Sequence, residues 1–484
     1  MVPARRKPLT ARIGTYAVGL DVYWPQFPGL LDKLMGWHGE FIGQVRAHGV
    51  EVVDFGMVDN AAGAQALLPR VKAADIDLLF VDMVTYATSA TFGVIARALD
   101  VPIVLVALQP MRCMDYDRAT TFMQLCNDNI CAMPEFCNAM VRMGRKAPPT
   151  VIGTLHDDAQ AAGEIARWVR VARVLHDVKR ARLGHFGHPL EAMYDMHTDQ
   201  TALTGTFGLH VVQTEIDDLA RLERGVTEAE IAAKSAEILG MFDTPTPEHD
   251  PHTEKLTEKD LRNAAKGAVA LDRFIAETGI DGLAYYYKGE NGGETQRLAS
   301  SLIVGNSLLC AAGFPMCGES DLKTCVAMMI MDRLDIGGSF AEFHPVDFAS
   351  NSVLVGHDGP HHIRIADGKP VIRSLKQYHG KPGSGASVEF QIAAGPMTML
   401  GLTSQADGSF KFVVAEGESR RGKIPATGNT NTHGHFGSCV RTFLSRWFAE
   451  GPTHHFALGV GHHAEDLRLV GEAMGIETVI VRGV

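Results

Sequence analysis

Four short runs rich in Val, Ile and Leu recur in the first 160 residues: RIGTYAVGL (12–20), GVEVVDFGMV (49–58), DLLFVDM (77–83) and PIVLVAL (102–108). Stretches of helical pattern at 27–47 and 60–73 separate them. This strand–helix–strand rhythm predicts a parallel sheet covered by helices on both faces. Ligands of such sheets sit beyond the carboxyl ends of the strands. That rule nominates Asp21 and Tyr23, Asp82, and Gln109 with Arg112. No Gly-x-Gly-x-x-Gly follows the first run, which disfavours a nicotinamide or flavin dinucleotide.

Two changes of pattern follow. Residues 160–305 are mainly helical, with strands at GLHVVQT and DGLAYYY. Thr227 with Glu230 and Thr257 with Asp260 resemble capping boxes that start two helices. Between them DTPTPEHDPH (243–252) is a Pro-rich connector that can continue neither. From about 335 the segments NSVLVGHDG, HHIRIADGKPVI, ASVEFQIAA, MTMLGLTS and FKFVVAEG read as short strands between Gly, Pro and Asp turns. They predict an antiparallel barrel or sandwich. The last forty residues revert to helix and end in the strand ETVIVRG. With 484 residues, 46% of them hydrophobic, there is apolar material for several cores. The expected architecture is α/β: N-terminal (1–170) and central (171–333) βα domains with parallel sheets, and a C-terminal antiparallel β-barrel-like domain (334–484). No internal repeat or low-complexity segment interrupts it.

A net charge of −11 without a long basic run argues against nucleic acid, because phosphate neutralisation needs clustered Lys and Arg. The partner expected is a small molecule. The basic start lacks the apolar stretch of a secretory signal, and no apolar run reaches the ~20 residues that span a bilayer. A soluble, cytoplasmic protein is the expectation. The eight cysteines contain no Cys-x-x-Cys, and Cys126, Cys131 and Cys137 read as buried free thiols. GESRRGKI (417–424) fits phosphate-loop spacing through Gly422 and Lys423. Ile424, however, stands where a Ser or Thr must hold magnesium, so it reads as a solvated basic turn.

The stronger chemical signal lies in 313–357. Glu319 precedes the apolar helix interior TCVAMMIM, Glu342 sits between phenylalanines in SFAEFHPVDF, and VLVGHDG ends a strand at His357. A carboxylate near a helix N-terminus and a core suits a metal ligand or a base, and equally an ordinary N-terminal helix charge. Two carboxylates with one or two imidazoles form a borderline-hard set for Mn²⁺, Co²⁺, Mg²⁺ or Zn²⁺. Their spacing matches no compact metal signature. A second cluster, GPTHHFALGVGHHAED, holds His454, His455, His462 and His463.

The stretches GESDLKT, SFAEFHPVDF, LVGHDG, YHGKPGSGASVEFQIAAGPMTMLGLT and WFAEGPTHHFALGVG resemble, in order and spacing, the L-arabinose isomerase family of the L-fucose/L-arabinose isomerase fold. HAEDLRLVGEAMGIETVIV is similar to that family's closing helix and strand. The resemblance covers the whole chain in architecture and is most specific between about 290 and 484. It implies a divalent ion, Mn²⁺ with Co²⁺ or Mg²⁺ as alternatives, held by Glu319, Glu342, His357 and His455. It also implies that Glu319 and Glu342 act as an acid/base pair. His454 is expected to point elsewhere, and His462 and His463 to be exposed residues capping a helix that begins near Ala464.

The resemblance further implies an aldose–ketose isomerase working through a cis-enediol, with a sugar pocket shaped by Asp21, Tyr23, Gln109 and Glu135. A closed homo-oligomer is expected, trimer-based and by preference hexameric. Two departures bear on the sugar. The family's Gln-His-Leu-Tyr-like segment is GLDVYWPQ here, keeping Tyr23, and its Gly-Gly-Arg-Glu-Phe-like segment is CAMPEF, keeping Glu135 and Phe136 without the Arg. The rival readings are an epimerase on the same scaffold and a sugar-binding or regulatory protein without catalysis.

Overall fold

The computed structural model describes residues 2–246, 253–375, 377–378, 381–425 and 429–483. The second half of the Pro-rich connector, 247–252, and residues 379–380 of the YHGKPGSG stretch lie outside the described residues. The chain forms two compact units, Leu9–Asp177 and Met1–Pro8 with Val178–Val484.

The first unit contains a five-stranded sheet in the order Glu51–Val58, Arg12–Val18, Leu78–Asp82, Ile103–Gln109, Thr150–Thr154, parallel throughout. Leu78–Asp82 is buried along its whole length, which is why it reads as a continuous apolar run. The helices Leu30–Arg46 and Ala61–Ala73 lie within the stretches of helical pattern. Their inward residues, such as Leu34, Phe41, Leu67 and Val71, are buried. Each apolar side chain withdrawn from water contributes about 1.5–3 kcal/mol.

The second unit contains two sheets that matter to the site. The first is parallel, in the order Met316–Cys317, Gly282–Tyr286, Arg182–Gly187, His210–Thr214. The second closes on itself. Gly395–Ser404, Phe456–Val460, Gly337–Asp347, Ser352–His357, Thr430–His435 and Phe410–Arg420 pair antiparallel in that order, and Phe410–Arg420 returns to Gly395–Ser404. The result is a six-stranded antiparallel barrel, with Glu477–Val481 added parallel to Phe410–Arg420. Closure removes the sheet edges. The two parallel sheets and the barrel are the expected α/β architecture, and the barrel decides between the barrel and sandwich that the strand pattern left open.

Local departures from the sequence reading have physical causes. HHIRIADGKPVI is not one strand: Ile363–Ile365 is a 3-10 turn, and the strand Val371–Leu375 begins only after Pro370. In the last forty residues the barrel strand Phe456–Val460 stands between two helices. Its FALGV run is too short to reveal a period. The capping box at Thr227 and Glu230 is formed, and Thr257 caps its helix through the backbone N–H of Asp260. Of the three clustered thiols Cys126 is buried, Cys137 intermediate and Cys131 exposed. In GESRRGKI the first four residues complete a barrel strand, and Arg421 pairs with Asp367 at 2.7 Å.

The helix Leu322–Arg333 is buried along all its residues, as its apolar interior predicts. Its N-cap Asp321 accepts from the Thr324 backbone N–H at 3.1 Å and the Thr324 hydroxyl at 2.8 Å. No described helix is long and apolar enough to cross a membrane.

Candidate metal centre

Barrel register assembles the centre from distant segments. Ala341 pairs with Phe456 and Glu342 with Gly356. The residue before Phe456 is His455 and the residue after Gly356 is His357, so two neighbouring ladders deliver both imidazoles to the strand that carries Glu342. Gly356 is required for this close pairing: a Cβ there would stand 1.4 Å from the Thr430 carbonyl oxygen. Phe340, buried, forms the floor, with ring centroids 4.2 Å from His357 and 4.4 Å from His455.

Glu319 arrives from the parallel sheet. It follows the strand Met316–Cys317 and lies two residues before the helix N-cap, not within the helix as its sequence setting suggests. Glu319 (φ 54°) and Ser320 (φ 62°) are both left-handed, a conformation that costs a non-glycine residue about 1–2 kcal/mol. The turn is held by the Ser320 N–H donating to the Tyr285 carbonyl at 3.0 Å.

The donor atoms converge. His455 Nε2 is 3.3 Å from His357 Nε2 and 3.5 Å from Glu319 Oε2, and His357 Nε2 is 3.9 Å from Glu342 Oε1. The four residues expected to hold an ion are thus together, His455, His357 and Glu319 buried and Glu342 partly exposed. Two overlapping groups have ligand atoms within 4.8 Å of one another: Glu342, His357 and His455, and Glu319, His454 and His455. His454 therefore does not point elsewhere. The backbone bends at His454, and its ring centroid lies 3.8 Å from that of His455.

The outer nitrogens are anchored. His455 Nδ1 donates to Asp321 Oδ2 at 3.1 Å, His454 Nδ1 to Asp195 Oδ2 at 2.6 Å, and His357 Nδ1 to the Asp358 carbonyl at 2.5 Å. Burial raises the Asp321 carboxyl, but the His455 hydrogen bond and the Lys323 charge bring it down to about 2, so it is an acceptor only. Burial likewise opposes ionisation of Asp195, which the His454 N–H groups hold below the usual carboxylate range. With Nδ1 protonated, each imidazole turns its Nε2 lone pair inward, the arrangement of metal-bound histidines.

Two Nε2 lone pairs 3.3 Å apart repel unless positive charge lies between them. In the protein alone a proton serves: burial would lower the His357 pKa, yet hydrogen bonding to Asp358 and the charges of Asp358, Glu342 and Glu319 lift it to about 9. Burial and the His357 charge lower that of His455, making it the natural acceptor. A divalent ion would replace this proton, and two imidazole nitrogens with two carboxylates are a donor set that fits Mn²⁺ or Co²⁺.

The anchoring residues Asp195, Asp321 and Asp358 escaped the sequence reading. Asp321 carried a signal, an Asp three residues before Thr324 at a helix start; Asp195, in the 3-10 turn Tyr194–Met196, carried none. His462 is exposed, while His463 is partly covered, with Nδ1 2.8 Å from Asp466 Oδ2 at the start of the helix Ala464–Met474.

The remaining candidates belong to the N-terminal unit. Asp21 accepts from Asn60 at 3.1 Å, Tyr23 opens a short helix, Gln109 donates to the Met111 carbonyl and Arg112 is exposed. Glu135 accepts from the Ser89 N–H at 2.7 Å, where the helix Ser89–Ala96 begins. Asp82 holds His38, with 2.7 Å between Oδ2 and Nδ1.

Residues 39–179 match the N-terminal domain of fucose/sulfoquinovose isomerases, and 182–337 the central domain of L-arabinose isomerases. The L-arabinose isomerase of Nocardioides sp. is 27% identical over 356 residues, 72% of this chain and 68% of that protein. That of Aeromonas salmonicida is 24% identical over 358 residues, again 72% and 68%. That of Escherichia coli O157:H7 is 22% identical over 335 residues, 67% and 65%.

Proposed function

This chain belongs to the L-arabinose isomerase family, and on that premise we propose that it is a metal-dependent aldose–ketose isomerase working through a cis-enediol. The observation that carries the reading is the convergence of Glu319, Glu342, His357 and His455, with both histidines anchored through Nδ1. Glu319, Glu342, His357 and His455 would hold the ion, which would supply Lewis-acid polarisation of a substrate oxygen.

The chain's own residues do the rest. One glutamate removes the C2 proton of the open-chain aldose, and the released electron pair forms the C1=C2 double bond while O1 gains a proton. The other glutamate returns a proton to C1 while the O2 hydroxyl gives up its own, which balances the one taken up at O1, leaving the carbonyl at C2; proton exchange with solvent then resets the two carboxyl groups. No oxidant is consumed and the proton count is unchanged. Phe340 walls the imidazoles from one side, keeping the local dielectric low.

The relatives' sugar, L-arabinose, is the first substrate to test. The departures around Tyr23 and Glu135 bear on which sugar is preferred, because hydrogen-bonding pockets reject poorly matched hydroxyl patterns strongly. All eight cysteines are free thiols, in keeping with a reducing cytoplasm. A closed, trimer-based homo-oligomer, hexameric by preference, completes the proposal.

Turnover of L-arabinose in D₂O with saturating Mn²⁺ tests the route. An enediol path passes the proton through a carboxylate that exchanges with water, so deuterium appears on the product carbon. Product free of deuterium at every stage would replace it with a hydride shift.

A further inference from the structure

His455 belongs to both donor groups of the centre, and the second group, Glu319 with His454 and His455, is not the expected ligand set. Its geometry is built. Asp195 Oδ2 accepts from both the backbone N–H of His454, at 2.9 Å, and its Nδ1, at 2.6 Å. Two hydrogen bonds to one carboxylate fix the imidazole's tautomer and its orientation and leave Nε2 as the basic nitrogen. The turn that carries Asp195 is pinned in its turn: Lys323 Nζ donates to the Asp195 carbonyl at 2.8 Å and the His197 carbonyl at 3.2 Å. Lys323 is fully buried on the same helix that Asp321 caps, so the anchors of His454 and His455 share one rigid element. A solvent-facing histidine needs no such support.

We infer that the protein has a second cation position, made by Glu319, His454 and His455 and oriented by Asp195, which takes an imidazole-preferring divalent ion such as Co²⁺ or Zn²⁺. Two imidazoles and one carboxylate form the ligand set of catalytic zinc sites, whereas the four-residue set, with two carboxylates, is the harder one. Because both positions use His455, they are alternatives for one ion. Asp195 is a positioning residue: it acts on the ion through His454. The inference rests on the metal-dependent reading above and extends it.

The test is Co²⁺ titration of the full-length, metal-stripped protein, read by visible d–d absorption and calorimetry. His357→Ala dismantles the first group and leaves the second intact, so H357A is expected to keep a Co²⁺ site. Adding His454→Ala should weaken it at least tenfold. Asp195→Asn in the H357A background leaves every ligand in place, and loss of an outer-sphere carboxylate of this kind costs about 10–100-fold in affinity. It reads the same site if the H357A/H454A protein fails to fold by circular dichroism. Equal Co²⁺ affinity in H357A and each doubly substituted protein would overturn the second position while leaving the first. Wild-type protein that takes up no Co²⁺ or Mn²⁺ would overturn both.

Discussion

Two sets of histidines in the molecule are wired differently. In the N-terminal unit His38 spends both ring nitrogens on carboxylates, Nδ1 on Asp82 at 2.7 Å and Nε2 on Asp54 at 3.2 Å. In the barrel unit His357, His454 and His455 each direct Nδ1 at an aspartate, and the Nε2 atoms of His357 and His455 face each other and the glutamates. A histidine with two acidic partners must be a cation and is a structural staple. One with a single outer partner keeps its second nitrogen available to a proton or a metal ion. Burial and neighbouring acids are common to both, so neither separates the roles; the disposition of the second nitrogen does.

The comparison breaks most sharply at its ligand end. His455→Ala should abolish Mn²⁺ binding and isomerase activity together, because His455 belongs to both donor groups. Glu319→Gln and Glu342→Gln should each lower kcat at least ~10²-fold, the usual loss with a general acid or base. Calorimetry beside steady-state kinetics at saturating Mn²⁺ checks these, and near-normal rates in both Gln variants would remove the carboxylates from the chemistry.

The next effect is geometric. Gly356→Ala places a methyl 1.4 Å from the Thr430 carbonyl oxygen, so the strand beneath His357 must move. A loss of more than tenfold in Mn²⁺ affinity is expected, with a lower Tm. Unchanged affinity would show that barrel register does not position the ligands.

His38→Gln probes the staple end. Burial lowers the His38 pKa, but hydrogen bonds and charges from Asp54 and Asp82 outweigh it and raise the value to about 9. A folded pKa above the unfolded ~6.5 means that the contribution is complete below pH 6.5 and disappears as pH rises through 9. It amounts to about 3 kcal/mol at most. Denaturant titration at pH 6 and pH 10 should show the variant clearly less stable at the lower pH and nearly equal to wild type at the higher. Mn²⁺ affinity of the folded variant should not change.

The smallest effect is expected for His462→Ala, an exposed site, within about 0.5 kcal/mol of wild type by the same titration. Loss of bound metal there would mean that the wrong histidines have been placed at the centre.

Fold class was legible because its signals are local. A buried parallel strand such as Leu78–Asp82 declares itself by an unbroken apolar run, and the Thr227 capping box by spacing alone. The strand Phe456–Val460 was missed because a five-residue apolar run between helices has no period of its own. For the site, the chain itself marked Glu319, Glu342 and His357 as polar residues in apolar or Gly-rich settings, and family resemblance added His455.

What the amino-acid order alone determined is thus the succession of layers, parallel-sheet domains and then a β-rich domain, and three candidate donors, Glu319, Glu342 and His357. Tertiary structure decided which nitrogen each histidine presents. Asp195 and Asp321 come from a 3-10 turn and a helix cap, and only the tertiary fold around the buried helix Leu322–Arg333 brings them to His454 and His455, whereas Asp358 follows His357 directly. The bend at His454 likewise sets its ring beside that of His455. Apolar periodicity depends on neighbours a few residues apart, whereas an imidazole's tautomer depends on the one atom touching its far nitrogen, and here that atom lies as many as 259 residues away.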